Sequence, residues 1–167
     1  MTLLAGFDVV QIGDGSAAAV CGRVLADVGA HVTCIGVDTG SVVLAHLNHG
    51  KTIAESAESL ATAHMIVREG QSGAYDVAGL RRLNASATIV TISPYGTTGP
   101  RANDPATDLT LFFASGISRL LTGQIDDLSE APIRPVGEQS AFIGGLAAAC
   151  AGMHASLGNQ PGACIDV

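Results

Sequence analysis

Tryptophan is absent from this chain, aromatic residues make up only 4% of it, and Lys51 is its only lysine. Charged residues are 14% of the sequence, against about 25% in an ordinary domain, which argues against a disordered chain, a coiled coil or an acidic tail. The eight basic residues form no run and interleave with no aromatics, and the net charge is −7. Nucleic acid is therefore not an expected partner. No apolar run approaches the roughly 20 residues of a membrane-spanning helix, so no membrane is expected. The N-terminus lacks a basic n-region and meets Asp8 at once, so no signal peptide is read. Cys21, Cys34, Cys150 and Cys164 show no metal-ligand spacing, and each sits in an apolar stretch. They are expected as buried free thiols in a reducing cytoplasm. His31, His46, His49, His64 and His154 have no partners at ligand spacing, so no metal site is expected.

Small apolar residues fill the space these absences leave. The 167 residues are 47% hydrophobic and include 21 glycines and 26 alanines. A chain of this length forms a single domain over residues 1–167 and can bury a core without staples. Its elements must pack closely, through small side chains.

Apolar strands alternate with helical stretches. Residues 7–12 (FDVVQI), 31–35 (HVTCI), 63–67, 88–92 (TIVTI) and 163–167 (ACIDV) read as strands. Residues 17–28 read as a helix stopped by Gly29, and 76–83 as a short helix. A helix capped by Asp104 with Pro105 at its first position is predicted to run to Gly116. A long small-residue helix spans 137–157, and 41–48 is ambiguous. The irregular stretch 93–103 and the loop 119–135 separate these elements. Strand–helix alternation predicts an α/β fold with a mainly parallel sheet. The end at Ile165-Asp166-Val167 falls inside an apolar pattern, which leads us to expect a sheet or chain completed by further polypeptide.

Gly13-x-Gly15-x-x-Ala18 follows the first strand and opens the first helix, and Asp38 lies just past the second strand. This is the spacing of a dinucleotide-binding turn, where glycines let a pyrophosphate approach the helix N-terminus. A tight strand–helix turn asks for the same small residues, and Asp14 would set a carboxylate beside the phosphates. An NAD(P)-binding oxidoreductase domain is one alternative.

Five further segments share one pattern. Val24-Leu25-Ala26-Asp27-Val28-Gly29-Ala30-His31-Val32 resembles the LLADLGAxV segment of the class III CoA-transferases, and Leu47-Asn48-His49-Gly50-Lys51 resembles their LNxGK. Leu83-Asn84 through Ser93-Pro94-Tyr95-Gly96-Thr97-Thr98-Gly99-Pro100 is similar to the family's LNPxLIYxSxxGFGxxGP. Asp108, Ala114-Ser115-Gly116 and Thr122-Gly123 follow its xDxxxxAxSGxxxxTG, and Gly162 to Val167 its GxGQxIDV. The family includes carnitine and bile-acid CoA-transferases and the α-methylacyl-CoA racemases. The resemblance implies a Rossmann-like large domain that binds coenzyme A or acyl-CoA as substrate. It also implies a second, smaller domain that this sequence lacks, and dimers whose chains interlock.

In the transferases of this family an aspartate carboxylate attacks the acyl-CoA thioester, and the acyl group passes through a mixed anhydride. In the racemases the aspartate works with a histidine. The family aspartate lies at the start of the long helix, which here reads Val136-Gly137-Glu138-Gln139-Ser140-Ala141. An ungapped count places Ala141 at the nucleophile position, and the racemase histidine falls on Thr107. Glu138 is the carboxylate that could stand in. The family's Gly-Pro at the first helix is Ala18-Ala19, the acid after its second strand is Gly36, and its CoA-binding arginine segment is shortened to Arg68–Gly73.

Asp108 and Glu138 both lie near helix starts, where a carboxylate is favoured by the helix dipole alone. Lys51, Tyr95, Gly96 and Gly99 are the candidate CoA contacts. The expected function is a CoA-binding domain without its usual nucleophile, cytoplasmic, working as a homo-oligomer or with a homologous partner chain. The alternative within the family is an active transferase using Glu138. The glycine–alanine face of Gly144, Gly145, Ala148 and Ala151 is expected to leave a groove for a helix of that partner.

Overall fold

The computed structural model describes residues 2–37, 40–70, 75–118, 127, 129, 135–158 and 161–167. Strand β1 (Asp8–Ile12) leads through α1 (Ser16–Asp27) to β2 (His31–Ile35). Then come α2 (Val42–Leu47), β3 (Thr52–Ala54), a 3₁₀ turn (Glu58–Ala61), β4 (Met65–Glu69), α3 (Val77–Leu83) and β5 (Thr88–Ile92). Helix α4 (Asp108–Ala114), helix α5 (Gln139–Leu157) and strand β6 (Cys164–Asp166) complete the described elements.

The six strands are all parallel, in the order β3-β2-β1-β4-β5-β6. The chain starts mid-sheet, builds outward to β3, then crosses back to β4. The strand order thus reverses between β1 and β4, the place where open α/β sheets form a crevice at their carboxyl ends. The expected fold class, α/β with a parallel sheet and flanking helices, is what the structure has.

Period-2 alternation sends each strand's residues to two faces. Val9, Val32, Met65, Val67 and Val90 meet α1 and α5, through Ala17, Ala18, Cys21, Ala148 and Ala149. Val10, Ile12, Ile66 and Ile89 meet Leu60 and Leu80 on the opposite face. Helices α1 and α5 touch almost backbone to backbone. A Cβ added to Gly145 would stand 2.5 Å from the Ala17 carbonyl oxygen and 2.7 Å from Val20 Cβ. Gly152 makes the same approach to Met65 and Val90 beneath. Of the four small residues expected to line a groove for a partner's helix, Gly145 and Ala148 are thus buried within the chain, Gly145 against α1, while Gly144 and Ala151 stay partly exposed and Gly144 has open space beside it. What α5 leaves exposed is its large apolar side, including Phe142, Ile143, Leu146 and Leu157.

Several boundaries move for identifiable reasons. Strand β4 runs two residues later than its apolar run, because parallel pairing carries it to Glu69 opposite Ile92. Arg68 and Glu69 thereby become strand residues. Asp104 caps no helix: it pairs with Arg101 at 2.9 Å, and α4 starts four residues later. There Thr107 and Thr110 form a reciprocal capping box. The ambiguous stretch 41–48 is α2, whose Leu44 N–H is capped by the Ser41 hydroxyl. Cys21 and Cys34 are buried as expected, but Cys150 and Cys164 are exposed, since the outer face of α5 and the edge strand β6 are uncovered. His154 is exposed on that same helix. Asp38, Thr122 and Gly123 lie outside the described residues.

Helix α5, at 19 residues, mean hydropathy 1.3 and without a charged side chain, is also long and apolar enough to cross a membrane. The sequence expectation missed this run because glycines, serines and His154 interrupt its large apolar residues, and alanines fill the spaces between them. In the fold it buries Gly145, Ala148, Ala149, Gly152 and Ala155 against α1 and the sheet.

Candidate functional site

A cavity of about 610 Å³ opens at the carboxyl ends of β4 and β5. The starts of α1 and α5, helix α4 and the loop after β5 surround it. Its lining includes Ser16, Glu69, Tyr95, Arg101, Asp108, Glu138 and Ala141. The chain thus brings the vacant position Ala141, the candidate Glu138 and the candidate Tyr95 to one cavity. Gly96 and Gly99 lie in the loop beside it.

Two helix N-termini point at this cavity, and in neither does the N-cap residue supply a side-chain cap. Each is capped by a carboxylate from elsewhere in the chain. Asp108 Oδ1 accepts hydrogen bonds from the Ser140 and Ala141 backbone N–H groups at 2.7 and 3.2 Å, and the Ser140 hydroxyl donates to the Asp108 carbonyl at 2.9 Å. This is the structural role that its place in a first helical turn suggested, though for the neighbouring helix as well as its own. Glu69 Oε2 accepts from the Ala18 N–H at 2.7 Å, and its carboxylate also faces the Ala17 N–H. Burial is the main reason its carboxyl lies above the ordinary range. The two backbone bonds oppose that rise, and Asp14 and Glu138 nearby add to it.

Sequence reasoning did not find Glu69. It was assigned to a loop, and its partner lies 51 residues away. The signal was an unpaired acid ending an apolar strand, opposite the Gly13-x-Gly15 turn.

Glu138 is exposed and makes no cap hydrogen bond. It precedes Ala141 by three residues, and both face the cavity. Within the rim loop Arg101 stacks over the Tyr95 ring at 3.7 Å. It is the only cation among the described lining residues. Asp166 at the end of β6 fixes the loop, accepting from the Thr97 N–H at 2.8 Å and the Thr97 hydroxyl at 2.7 Å. Gly96 and Gly99, at φ +86° and +101°, make the turns that this tether requires.

Lys51 stands apart from the cavity lining. Its ammonium donates to Gln11 Oε1 at 2.7 Å, the Ala19 carbonyl at 2.8 Å and Asn48 Oδ1 at 2.9 Å. Those three acceptors use all three of its donors. Burial lowers its pKa to about 8, partly opposed by Cys34 and Cys21. Gly22 admits it: a Cβ there would lie 2.5 Å from Gln11 Oε1 and 2.9 Å from Lys51 Nζ.

No known family profile matches the chain, and neither does any curated protein. Solved structures do match. A CAIB/BAIF family protein from Brucella suis superposes with a TM-score of 0.79 at 22% identity, over 99% of this chain and 52% of that one. The hypothetical protein Rv3272 from Mycobacterium tuberculosis gives 0.77 at 20% identity, over 98% and 54%. A variant of Rv3272 with an aspartate replaced by alanine gives 0.75 at 22%, over 98% and 53%. The chain therefore spans about half the length of these proteins and shares the fold of that half.

Proposed function

We propose that the chain is a coenzyme-A-binding domain of the class III CoA-transferase type whose nucleophile position is vacant. It would act beside a second copy or a homologous partner chain that carries a competent site. The observation that carries this reading is Ala141. It faces the cavity at the start of α5, where the resembled family places its aspartate, and its methyl group cannot attack a thioester. Support comes from the fold shared with a CAIB/BAIF family protein and from a cavity at the switch point of the sheet.

In this reading Tyr95, Gly96 and Gly99 line the path of the acyl-CoA, and Arg101 faces its anionic groups. Lys51 would have to leave three internal acceptors to reach a phosphate. The exposed strip of Phe142, Ile143 and Leu146, on a helix without charge, supports contact with a partner chain.

The test joins binding to turnover. Calorimetry should detect CoA binding to the isolated chain, while acyl-CoA turnover should be weak or absent. Ala141→Asp should raise turnover once the partner is supplied, and Leu146→Lys should weaken any self-association seen in sedimentation.

A second reading, transfer by Glu138, draws on that carboxylate being uncapped and beside the cavity. Turnover by the isolated chain that vanishes in Glu138→Gln would establish it and overturn the first. The dinucleotide reading meets Glu69 where a pyrophosphate would lie.

A further inference from the structure

The turn between β1 and α1 has what an anion site needs: glycines, an extended approach and free helix N–H groups. An anion already fills it. The Glu69 carboxylate lies on the Ala17 and Ala18 N–H groups, reaching them from the end of β4. Gly15 is used for that purpose. Its φ is −68°, which any residue adopts, so conformational freedom does not explain it. Space does, because a Cβ at this position would collide with the Glu69 carboxylate.

We infer that Glu69 is a specificity-determining residue, an internal anion that closes the β1–α1 turn to phosphate and pyrophosphate groups. Asp14, within the turn, and Glu138, across the cavity, set two more negative charges beside the carboxylate. An entering phosphate would lose its helix donors to Glu69 and meet repulsion from all three acids. The cavity therefore receives anionic groups from the Arg101 end, and the α1 end takes neutral parts of a ligand. This holds whether or not the ligand is coenzyme A, and it gives the glycine pattern a role other than nucleotide binding.

The test uses inorganic pyrophosphate and the backbone amide NMR signals of Ala17 and Ala18, at constant ionic strength and pH 7. In the wild-type chain these two signals should not move. In Glu69→Ala they should shift saturably, since charge-assisted bonds to the freed N–H groups then become available. Glu69→Ser serves if the alanine variant fails to fold. Saturable movement of the Ala17 and Ala18 signals in the wild type would overturn the inference directly. So would a folded Glu69 variant whose signals stay fixed. Coenzyme A binding at other residues, or its absence, bears on the proposed function and leaves this result unchanged.

Discussion

Adjacent glycines in α5 should respond with opposite sign to the same added methyl group. Gly144 and Gly145 share one helix and one intrinsic gain: alanine in a helix interior is favoured over glycine by about 0.8–1.0 kcal/mol. At Gly144 a new Cβ meets nothing within 4 Å, so the gain is realised. At Gly145 it would stand 2.5 Å from the Ala17 carbonyl oxygen and 2.7 Å from Val20 Cβ. The nearest obstacle is backbone and cannot rotate away, so α1 and α5 must separate. Overpacking of this kind costs about 1–3 kcal/mol, and a rigid obstacle puts the cost toward the upper end. Net of propensity, Gly145→Ala should lose about 1–2 kcal/mol. For a chain of this size 1 kcal/mol moves Tm by about 2–4 °C. Gly144→Ala should then melt about 2–4 °C higher than wild type and Gly145→Ala about 2–8 °C lower, by circular dichroism at a fixed scan rate. Shifts of the same sign would refute the close crossing of α1 and α5. That crossing aims both helix N-termini at the cavity, so the site's geometry would fall with it.

Three further outcomes are expected. Lys51→Met should lower stability by about 2–4 kcal/mol in urea denaturation, because it leaves the buried acceptors of Gln11, Asn48 and Ala19 without their donor. Stability unchanged within about 0.5 kcal/mol would contradict the internal network. Glu69 has its folded pKa above the ordinary value, so its favourable contribution is complete below the unfolded pKa and is lost as pH rises through the folded one. The stability of Glu69→Gln relative to wild type should therefore be higher at pH 7 than at pH 4; urea midpoints rising the other way would contradict the assigned direction. In the native chain Cys150 and Cys164 should react with a thiol reagent, while Cys21, pushed up to about 12 by burial, and Cys34 should react only after unfolding. Four equally fast thiols would mean that the α1 face of the sheet is not closed.

The fold was legible in the sequence because parallel strands buried on both faces write themselves as continuous apolar runs. FDVVQI, HVTCI and TIVTI show this, and the first two are each followed by a turn and a helical stretch. Local chemistry was legible to the same degree. Gly29 stops α1 in a left-handed conformation at φ +104°, as its place predicts. Boundaries set by distant pairing were not legible. Nothing near Arg68 and Glu69 says that a strand continues through two charged residues, because what holds them there is β5 on one side and α1 on the other. The Asp104-Pro105 start failed for a related reason. A good cap competes with a good ion pair, and Arg101 three residues earlier takes the carboxylate.

The site divides along the same line. Tyr95, Glu138 and Ala141, which line the cavity, could be picked out because their segments resemble those of a known family. The groups that decide what the cavity can bind come from other segments. Asp108 reaches α5 across 32 residues, and Glu69 reaches α1 across 51. A glycine pattern records only that something must come close to the backbone. Whether that something is a phosphate or the chain's own carboxylate depends on the neighbouring strand. Here β4 delivers Glu69 into the turn, and the same glycine spacing that would admit a nucleotide admits an internal anion instead.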